Sequence, residues 1–187
     1  ATRNISTAQI IGITGSVGKT TLKKLTSFAL KNYGKVYYSP RSYNNKLGVP
    51  FSLCNLKHDT EYGVFEIGMD KKGEINNLSK IVKPELGVIN NISEAHIKNF
   101  HTLKDIAKAK GEIIDNILEG GNIILNKDDK FFNFFLKKAN EKNLNVISFS
   151  LKKKSDIQFL KTTKIKNYYK LKIFVKNKIF YFYVKNF

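Results

Sequence analysis

Short apolar runs alternate with segments of helical spacing over the first 150 residues of the chain. The runs are rich in Ile, Leu, Val and Phe, which is typical of strands that are buried on both faces of a sheet. Strands are predicted at Gln9–Thr14, Tyr62–Ile67, Leu86–Asn90, Asn122–Leu125 and Asn145–Phe149. Helices are predicted between them, at Lys19–Asn32, Gly73–Val82, Thr102–Leu118 and Lys130–Lys142. The pattern predicts a three-layer α/β fold, in which a mostly parallel sheet carries helices on both faces.

The pattern changes after Lys152, where lysine-rich, strand-like segments replace the alternation of apolar runs and helical spacing. Two such segments, 171–176 and 179–184, are separated by a short Asn-Lys break. Two strand-like segments with a short polar break between them are typical of an antiparallel β-hairpin. We therefore expect 151–187 to form a β-rich appendage of the α/β domain.

Length and composition limit the classes of protein that the chain can belong to. Its 187 residues are enough for one domain, or for one domain with a small appendage. The single cysteine, Cys54, excludes an internal disulfide and is typical of a reducing compartment. No apolar run approaches the ~20 residues that span a bilayer, no charged-then-apolar leader opens the sequence, and Ala1 in place of Met indicates an excised piece. These features predict a cytoplasmic protein without membrane insertion.

The net charge of +18 raises the hypothesis of a nucleic-acid-binding module, because lysine and arginine neutralise phosphates. However, only Arg3 and Arg41 are arginines, whereas base contacts favour arginine. The segment 151–187 alone holds 11 lysines and one aspartate. A solvated lysine surface is therefore the favoured interpretation, and we expect no nucleic-acid partner.

The segment Gly12–Thr21, GITGSVGKTT, follows the first predicted strand and opens the first predicted helix. Glycines in such a loop let backbone N–H groups surround phosphates, and the helix N-terminus adds partial positive charge. Lys19 would contact the β- and γ-phosphates, and the Thr20 hydroxyl would bind Mg²⁺. The strict motif has glycine where Ile13 stands. The predicted nucleotide-binding residues of the loop are Gly15, Ser16, Val17, Gly18, Lys19, Thr20 and Thr21.

A phosphate loop does not by itself identify the reaction, and a GTPase is one hypothesis. Asp70–Gly73, DKKG, and Asn126–Asp129, NKDD, match the two short motifs of GTPases in the expected order. The context fits poorly, because the acid at the end of the predicted strand Tyr62–Ile67 is Glu66, whereas Asp70 lies in the following turn.

Further segments remain unexplained by a GTPase, and they support a second hypothesis. They are Tyr43–Pro50 (YNNKLGVP), Glu66–Ile75 (EIGMDKKGEI), Asn90–His96 (NNISEAH) and Ala107–Glu112 (AKAKGE). Together with the loop TGSVGKTT, these segments resemble the central ATPase domain of the Mur ligases. The TGxxGKTT loop is that family's own variant, which accounts for Ile13. The resemblance extends from about Ile10 to Asn126, and more loosely onward to the hairpin.

The resemblance implies an ATP- and Mg²⁺-dependent amide-bond ligase that acts through an acyl phosphate. The NNxxGVP and GEI segments favour the family member of peptidoglycan synthesis that joins D-alanyl-D-alanine to UDP-N-acetylmuramoyl-tripeptide, over its siblings and folylpolyglutamate synthetase. Such ligases have three domains. Residues 1–187 would be the middle one, without the N-terminal UDP-binding domain and the C-terminal domain, and we expect little or no activity from this piece alone.

The resemblance also implies roles for individual residues. Thr20 and Glu66 would hold one Mg²⁺, and His96 would serve catalysis at a second metal. Asn44 and Asn45 would face the UDP-linked muramoyl peptide, although an asparagine pair is also typical of a turn. Asn126 would lie near the adenine, so that NKDD becomes the family's NxDD.

Lys110 is singled out by the helical pattern independently of the resemblance. At 100° per residue it falls in the centre of an apolar stripe, where a charged side chain is costly unless it is paired or neutral. A lysine that extends its amine to solvent is the ordinary alternative. The resemblance implies instead that Lys110 is a catalytic residue that is carbamoylated and helps to hold the second Mg²⁺. The predicted stripe consists of Leu103, Ile106, Ala107, Ile113, Ile114, Ile117 and Leu118.

Overall fold

The computed structural model describes residue 3, residues 6–94 and residues 99–185. Within this part of the chain nine strands form one sheet in the order β2-β3-β1-β4-β5-β6-β7-β8-β9. The strands are β1 (Gln9–Thr14), β2 (Val36–Tyr38), β3 (Tyr62–Glu66), β4 (Leu86–Ile89), β5 (Asn122–Asn126), β6 (Asn145–Ser150), β7 (Ile157–Ile165), β8 (Tyr168–Val175) and β9 (Lys178–Lys185). The helices are α1 (Lys19–Leu30), α2 (Gly48–Cys54), α3 (Glu74–Val82), α4 (Leu103–Lys110) and α5 (Phe132–Glu141), with a 3₁₀ helix at Gly111–Asn116.

The sheet is parallel from β2 to β7 and antiparallel from β7 to β9. Strand β1 pairs with β3 on one side and with β4 on the other. The connection that leaves β1 runs to one side, toward β2, whereas the connection that leaves β4 runs to the other side, toward β5. Ligands of open α/β sheets bind at the carboxyl ends of the strands at such a switch point. The phosphate loop begins there, directly after Thr14.

Helices cover both faces of the sheet, as the sequence predicts. On one face Leu22 and Leu30 of α1 pack against a cluster formed by β1, β3 and β4. On the other face α2, α3, α4, the 3₁₀ helix and α5 contribute to the larger cluster, which includes Val49, Ile75 and Ile113. The predicted three-layer α/β class is confirmed. None of the helices in the described ranges has the length and apolar character needed to cross a membrane.

The predicted single helix Thr102–Leu118 is wrong in its second half. The α-helix ends at Lys110, and the 3₁₀ helix that follows is attached to the start of α3. The Glu112 carboxylate accepts hydrogen bonds from the Gly73 and Asn76 amides, at 2.9 and 3.0 Å. These contacts, which periodicity cannot report, hold the segment in its tighter winding. Leu118, the last member of the predicted stripe, is 39% exposed.

The predicted hairpin is confirmed as β8 and β9, with its two-residue turn one position earlier, at Lys176 and Asn177. Both turn residues have positive φ, 42° and 69°, as the turns that match strand twist require. Three elements of the structure were not predicted as strands or helices. Strand β2 has three residues and helix α2 has seven, which is too short for periodicity to show. Strand β7 is mostly exposed and polar toward its end.

The fold predicts a large loss of stability on truncation of Ile113. This side chain is fully buried, and its Cδ1 atom lies 3.3 Å from where a Cβ on Gly12 would be. We expect Ile113→Ala to lower the free energy of unfolding by about 2–5 kcal/mol, because the cavity cannot close completely. Chemical denaturation measures the change. The control is Ile81→Ala on the exposed face of α3; equal losses for both variants would contradict the assignment of this core.

Candidate functional site

The loop between β1 and α1 adopts backbone conformations that require glycine. Gly15 has a φ of 148°, and a Cβ there would approach the Asn90 Cβ to 3.0 Å. Gly18, with a φ of 78°, is the N-cap residue of α1, and no side chain among the described residues caps that helix end. The first turn of α1 therefore presents its backbone N–H groups and its partial positive charge at the sheet edge, which is suited to an anion.

The segment after β4 holds this loop in place. The Ser16 amide donates to the Asn91 backbone oxygen at 2.9 Å, and the Val17 amide donates to the Asn91 Oδ1 atom at 3.0 Å. The Asn90 side chain donates to the Val17 oxygen at 2.9 Å. The Ser93 amide donates to the Ser16 hydroxyl at 2.9 Å. Sequence reasoning assigned Ser16 and Val17 to the nucleotide, and the structure shows that their amides also carry the loop's own contacts.

Two lysine ammonium groups meet at one backbone oxygen of the loop. Lys19 Nζ donates to the Gly15 oxygen at 2.9 Å, and Lys110 Nζ donates to the same oxygen at 3.0 Å. Lys110 is 1% exposed. Burial, together with the nearby charge of Lys19, lowers the pKa of Lys110 to about 7. Burial also lowers the pKa of Lys19, and the charge of Glu66 opposes that shift. The site is thus strongly electropositive, and one of its two amines loses its proton near neutral pH.

Glu66 is the last residue of β3 and is 1% exposed. Its Oε2 atom accepts a hydrogen bond from the Thr20 hydroxyl at 2.8 Å and lies 3.3 Å from the Lys23 ammonium. Its Oε1 atom accepts a hydrogen bond from the Asn44 side-chain amide at 2.7 Å. The carboxylate therefore joins β3, α1 and the loop that precedes α2.

The pair of Thr20 and Glu66 fits a magnesium ion. Magnesium prefers hard oxygen ligands, and it commonly keeps waters and substrate phosphate oxygens with only one or two protein groups. The hydroxyl and carboxylate oxygens are 2.8 Å apart, next to the loop that suits phosphates. Across 6–94 and 99–185, no group of three or more His, Cys, Asp and Glu side chains is arranged to hold a metal. His96, predicted for a second metal, lies outside the described residues.

Asn44 and Asn45 line a cleft of about 410 Å³ that begins at Lys19 and runs along Gly68 to Glu74. The Asn45 Oδ1 atom accepts hydrogen bonds from the Leu47 and Gly48 amides at 3.1 and 2.9 Å, which starts α2. Asn45 therefore has the role in a turn that is typical of asparagine, whereas the Asn44 side chain contacts Glu66. The cleft thus extends from the phosphate loop to the start of α3.

The segment Asn126–Asp129 uses its polar atoms to hold neighbouring backbone. Asp129 accepts hydrogen bonds from the Ile92 amide at 2.8 Å and the Phe131 amide at 2.9 Å, one on each carboxylate oxygen. The Asn126 side chain donates to the Asn90 oxygen at 3.3 Å. An aspartate that selects guanine must offer its carboxylate to the base. The Asp129 carboxylate is instead committed to the backbone, which disfavours the GTPase hypothesis.

A family model described as the Mur ligase middle domain matches residues 13–185. The chain belongs to the Mur ligase family. The resemblance carried by the loop, the NNKLGVP segment and Lys110 is therefore confirmed at the level of the family.

Individual Mur ligases show the same relationship. The UDP-N-acetylmuramoyl-tripeptide–D-alanyl-D-alanine ligase of Rickettsia prowazekii is 37% identical over 177 residues, which cover 94% of this chain and 39% of the relative. MurF from Acinetobacter baumannii superposes with a TM-score of 0.90 at 28% identity, over 99% of this chain and 40% of that one. MurF from Thermotoga maritima in complex with ADP gives 0.86 at 26%, over 100% and 43%. The chain thus spans about two fifths of these relatives, and nucleotide binding is supported.

Sequence reasoning missed Lys23, whose side chain is fully buried against Glu66. Burial lowers the pKa of this lysine, and the charge of Glu66 opposes the shift. The apolar residues of α1 do not all mark its buried face. Leu25 and Phe28 are 62% and 73% exposed, whereas Lys23 and Ser27 face inward. The one signal was position, since Lys23 follows Lys19 by one helical turn and so lies on the same face.

The contacts of Asp129 predict a structural effect without a change in base preference. We expect Asp129→Ala to lower the free energy of unfolding by about 1–3 kcal/mol, because two backbone amides lose their acceptor. The ratio of ATP to GTP affinity should stay the same. Denaturation and competition binding measure the two effects, with Asp59→Ala, on an exposed ion pair, as the control. A changed base preference in Asp129→Ala would restore the GTPase hypothesis.

Proposed function

We propose that this chain is the ATP-binding middle domain of a Mur ligase that joins D-alanyl-D-alanine to UDP-N-acetylmuramoyl-tripeptide. The carrying observation is the convergence of Lys19, Lys110, Thr20 and Glu66 at the end of β1 and β3, in a chain similar to ligases of that name. Because the chain covers 39% of that relative, we propose that the remaining length supplies a UDP-binding domain and a C-terminal domain. Residues 151–187 form the β-rich part of the middle domain.

The loop and the start of α1 would bind the phosphates of ATP. Lys19 would leave the Gly15 oxygen and neutralise the β- and γ-phosphates, while Asn126 would lie beside the adenine. Thr20 and Glu66 would hold Mg²⁺, which neutralises phosphate charge during transfer. The substrate carboxylate oxygen would bond to the γ-phosphorus as ADP leaves, giving an acyl phosphate. The amine of D-alanyl-D-alanine would then form the amide, with loss of a proton and release of phosphate.

Lys110 is suited to carbamoylation, which requires a neutral amine. With a pKa of about 7, a substantial fraction of this buried amine is neutral at pH 7. The nitrogen would bond to the carbon of CO₂ and release one proton, leaving a carboxylate-like group beside the phosphate loop. That group would hold a second Mg²⁺ together with His96. A buried carboxylate-like group would also suit the positive charge of Lys19.

The cleft beside Asn44 and Asn45 would receive the reacting end of the UDP-linked muramoyl peptide. It opens at Lys19, where the γ-phosphate of ATP would lie, and it is lined by the polar side chains of Asn77, Asp70 and Lys46. A carboxylate placed there would face the phosphate directly. Since ATP and UDP-linked precursors are made inside cells, we infer a cytoplasmic location.

Base preference tests the proposed function directly. With Mg²⁺ present, we expect ATP to bind to this chain. GTP should compete with an affinity that is weaker by at least roughly tenfold, which corresponds to about 1.4 kcal/mol in binding free energy. Isothermal titration calorimetry with labelled-nucleotide competition provides the measurement. Lys19→Met should lose most of the ATP affinity, whereas Lys31→Met, at the far end of α1, should not. Equal or preferred binding of GTP would argue against a ligase.

The carbamate on Lys110 should be visible by ¹³C NMR in buffer that contains ¹³C-labelled bicarbonate. We expect its occupancy to rise with pH through about 7 at constant dissolved CO₂, because only the neutral amine reacts. Lys110→Gln should abolish the signal, and Lys108→Gln, which alters an exposed lysine of the same helix, should keep it. A signal that survives in Lys110→Gln would assign the carbamate to another amine.

A further inference from the structure

The buried lysine of α1, Lys23, has no part in the mechanism proposed above. Its side chain is 0% exposed, and its ammonium lies 3.3 Å from the Glu66 Oε2 atom. The same ammonium donates a hydrogen bond to the backbone oxygen of Arg41. A charged lysine is rarely buried unless it is paired, and this one is paired with the carboxylate that would hold Mg²⁺. Its position is therefore set by Glu66 on one side and by the 41–45 loop on the other.

The geometry places a fixed positive charge where a divalent cation would have to enter. A cation bound by Thr20 and Glu66 would share the Oε2 atom with Lys23, and Lys19 is a second cation that interacts with Glu66. Repulsion between charges at such distances is strong when the site is shielded from water. Nucleotide phosphates bring several negative charges to the same place, which offset that repulsion. The metal is thus disfavoured alone and favoured together with the nucleotide.

We propose that Lys23 is a positioning residue that couples metal binding to nucleotide binding. Its ammonium neutralises and orients the Glu66 carboxylate in the absence of nucleotide. A divalent cation then binds tightly only when nucleotide phosphates are present. The inference rests on the proposed metal role of Thr20 and Glu66. By linkage, metal and nucleotide must strengthen each other's binding by the same factor.

The test uses Mn²⁺ as a paramagnetic probe and this chain without nucleotide. We expect Lys23→Gln to bind Mn²⁺ at least about tenfold more tightly than the parent by electron paramagnetic resonance, because the competing charge is removed. Lys24→Gln removes an exposed lysine of the same helix and should bind Mn²⁺ as the parent does. The gain should vanish in Lys23→Gln/Glu66→Gln, which assigns it to the Glu66 carboxylate.

A purely structural role for Lys23 makes different predictions. Lys23→Arg keeps the charge and should bind Mn²⁺ like the parent; an affinity equal to that of Lys23→Gln would overturn the proposal. So would an unchanged or weaker affinity in Lys23→Gln. If Lys23→Gln does not fold, the parent chain provides the test. Its Mn²⁺ affinity must be at least about tenfold higher with saturating ADP than without ADP, and a smaller rise would overturn the proposal. Failure of ADP to bind the parent would instead count against the proposed function.

Discussion

The architecture of the site depends on one buried carboxylate. Glu66 ends the strand β3, and its oxygens accept from Thr20 and Asn44 and lie against Lys23. A carboxylate out of water is stable only when several donors surround it. Here the donors come from α1 and from the loop before α2, so that satisfying one charge also fixes the phosphate loop's helix and the wall of the cleft. The contacts that stabilise this part of the fold are therefore also the contacts that form the site.

The second organising feature is the Gly15 oxygen, which accepts from Lys19 and Lys110 together. Two ammonium groups at one oxygen repel each other, and only one of them is retained easily as a cation in a buried place. Burial and, secondarily, the nearby charge of Lys19 lower the pKa of Lys110 to about 7. Phosphate binding would supply the missing negative charge. The two lysine amines beside the start of α1 thus form a site suited to a polyanion.

Sequence patterns identified the features that depend on residues close together in the chain. The strand β1, its loop and the start of α1 follow from a short apolar run and glycine spacing, and the burial of Lys110 follows from helical periodicity. Patterns failed where long-range contacts decide. The 3₁₀ helix is held by Glu112 at the start of α3, and Lys23 is held inward by Glu66 and by the backbone oxygen of Arg41. Leu25 and Phe28 are better candidates for the core by composition, yet they lie outside.

A segment of this chain can match a motif in sequence without having the contacts that the motif's function requires. Asn126–Asp129 contains the letters of a guanine-selecting motif, but both Asp129 oxygens accept from backbone amides that shape the segment beside the phosphate loop. In a chain with 31 lysines, short strings of Lys, Asn and Asp arise readily by chance. What distinguishes chance from function is whether a side chain's polar atoms are already committed to the fold. The Glu66 carboxylate is also held by the fold, but one of its donors, the Thr20 hydroxyl, is a group that a metal would engage beside the phosphate loop.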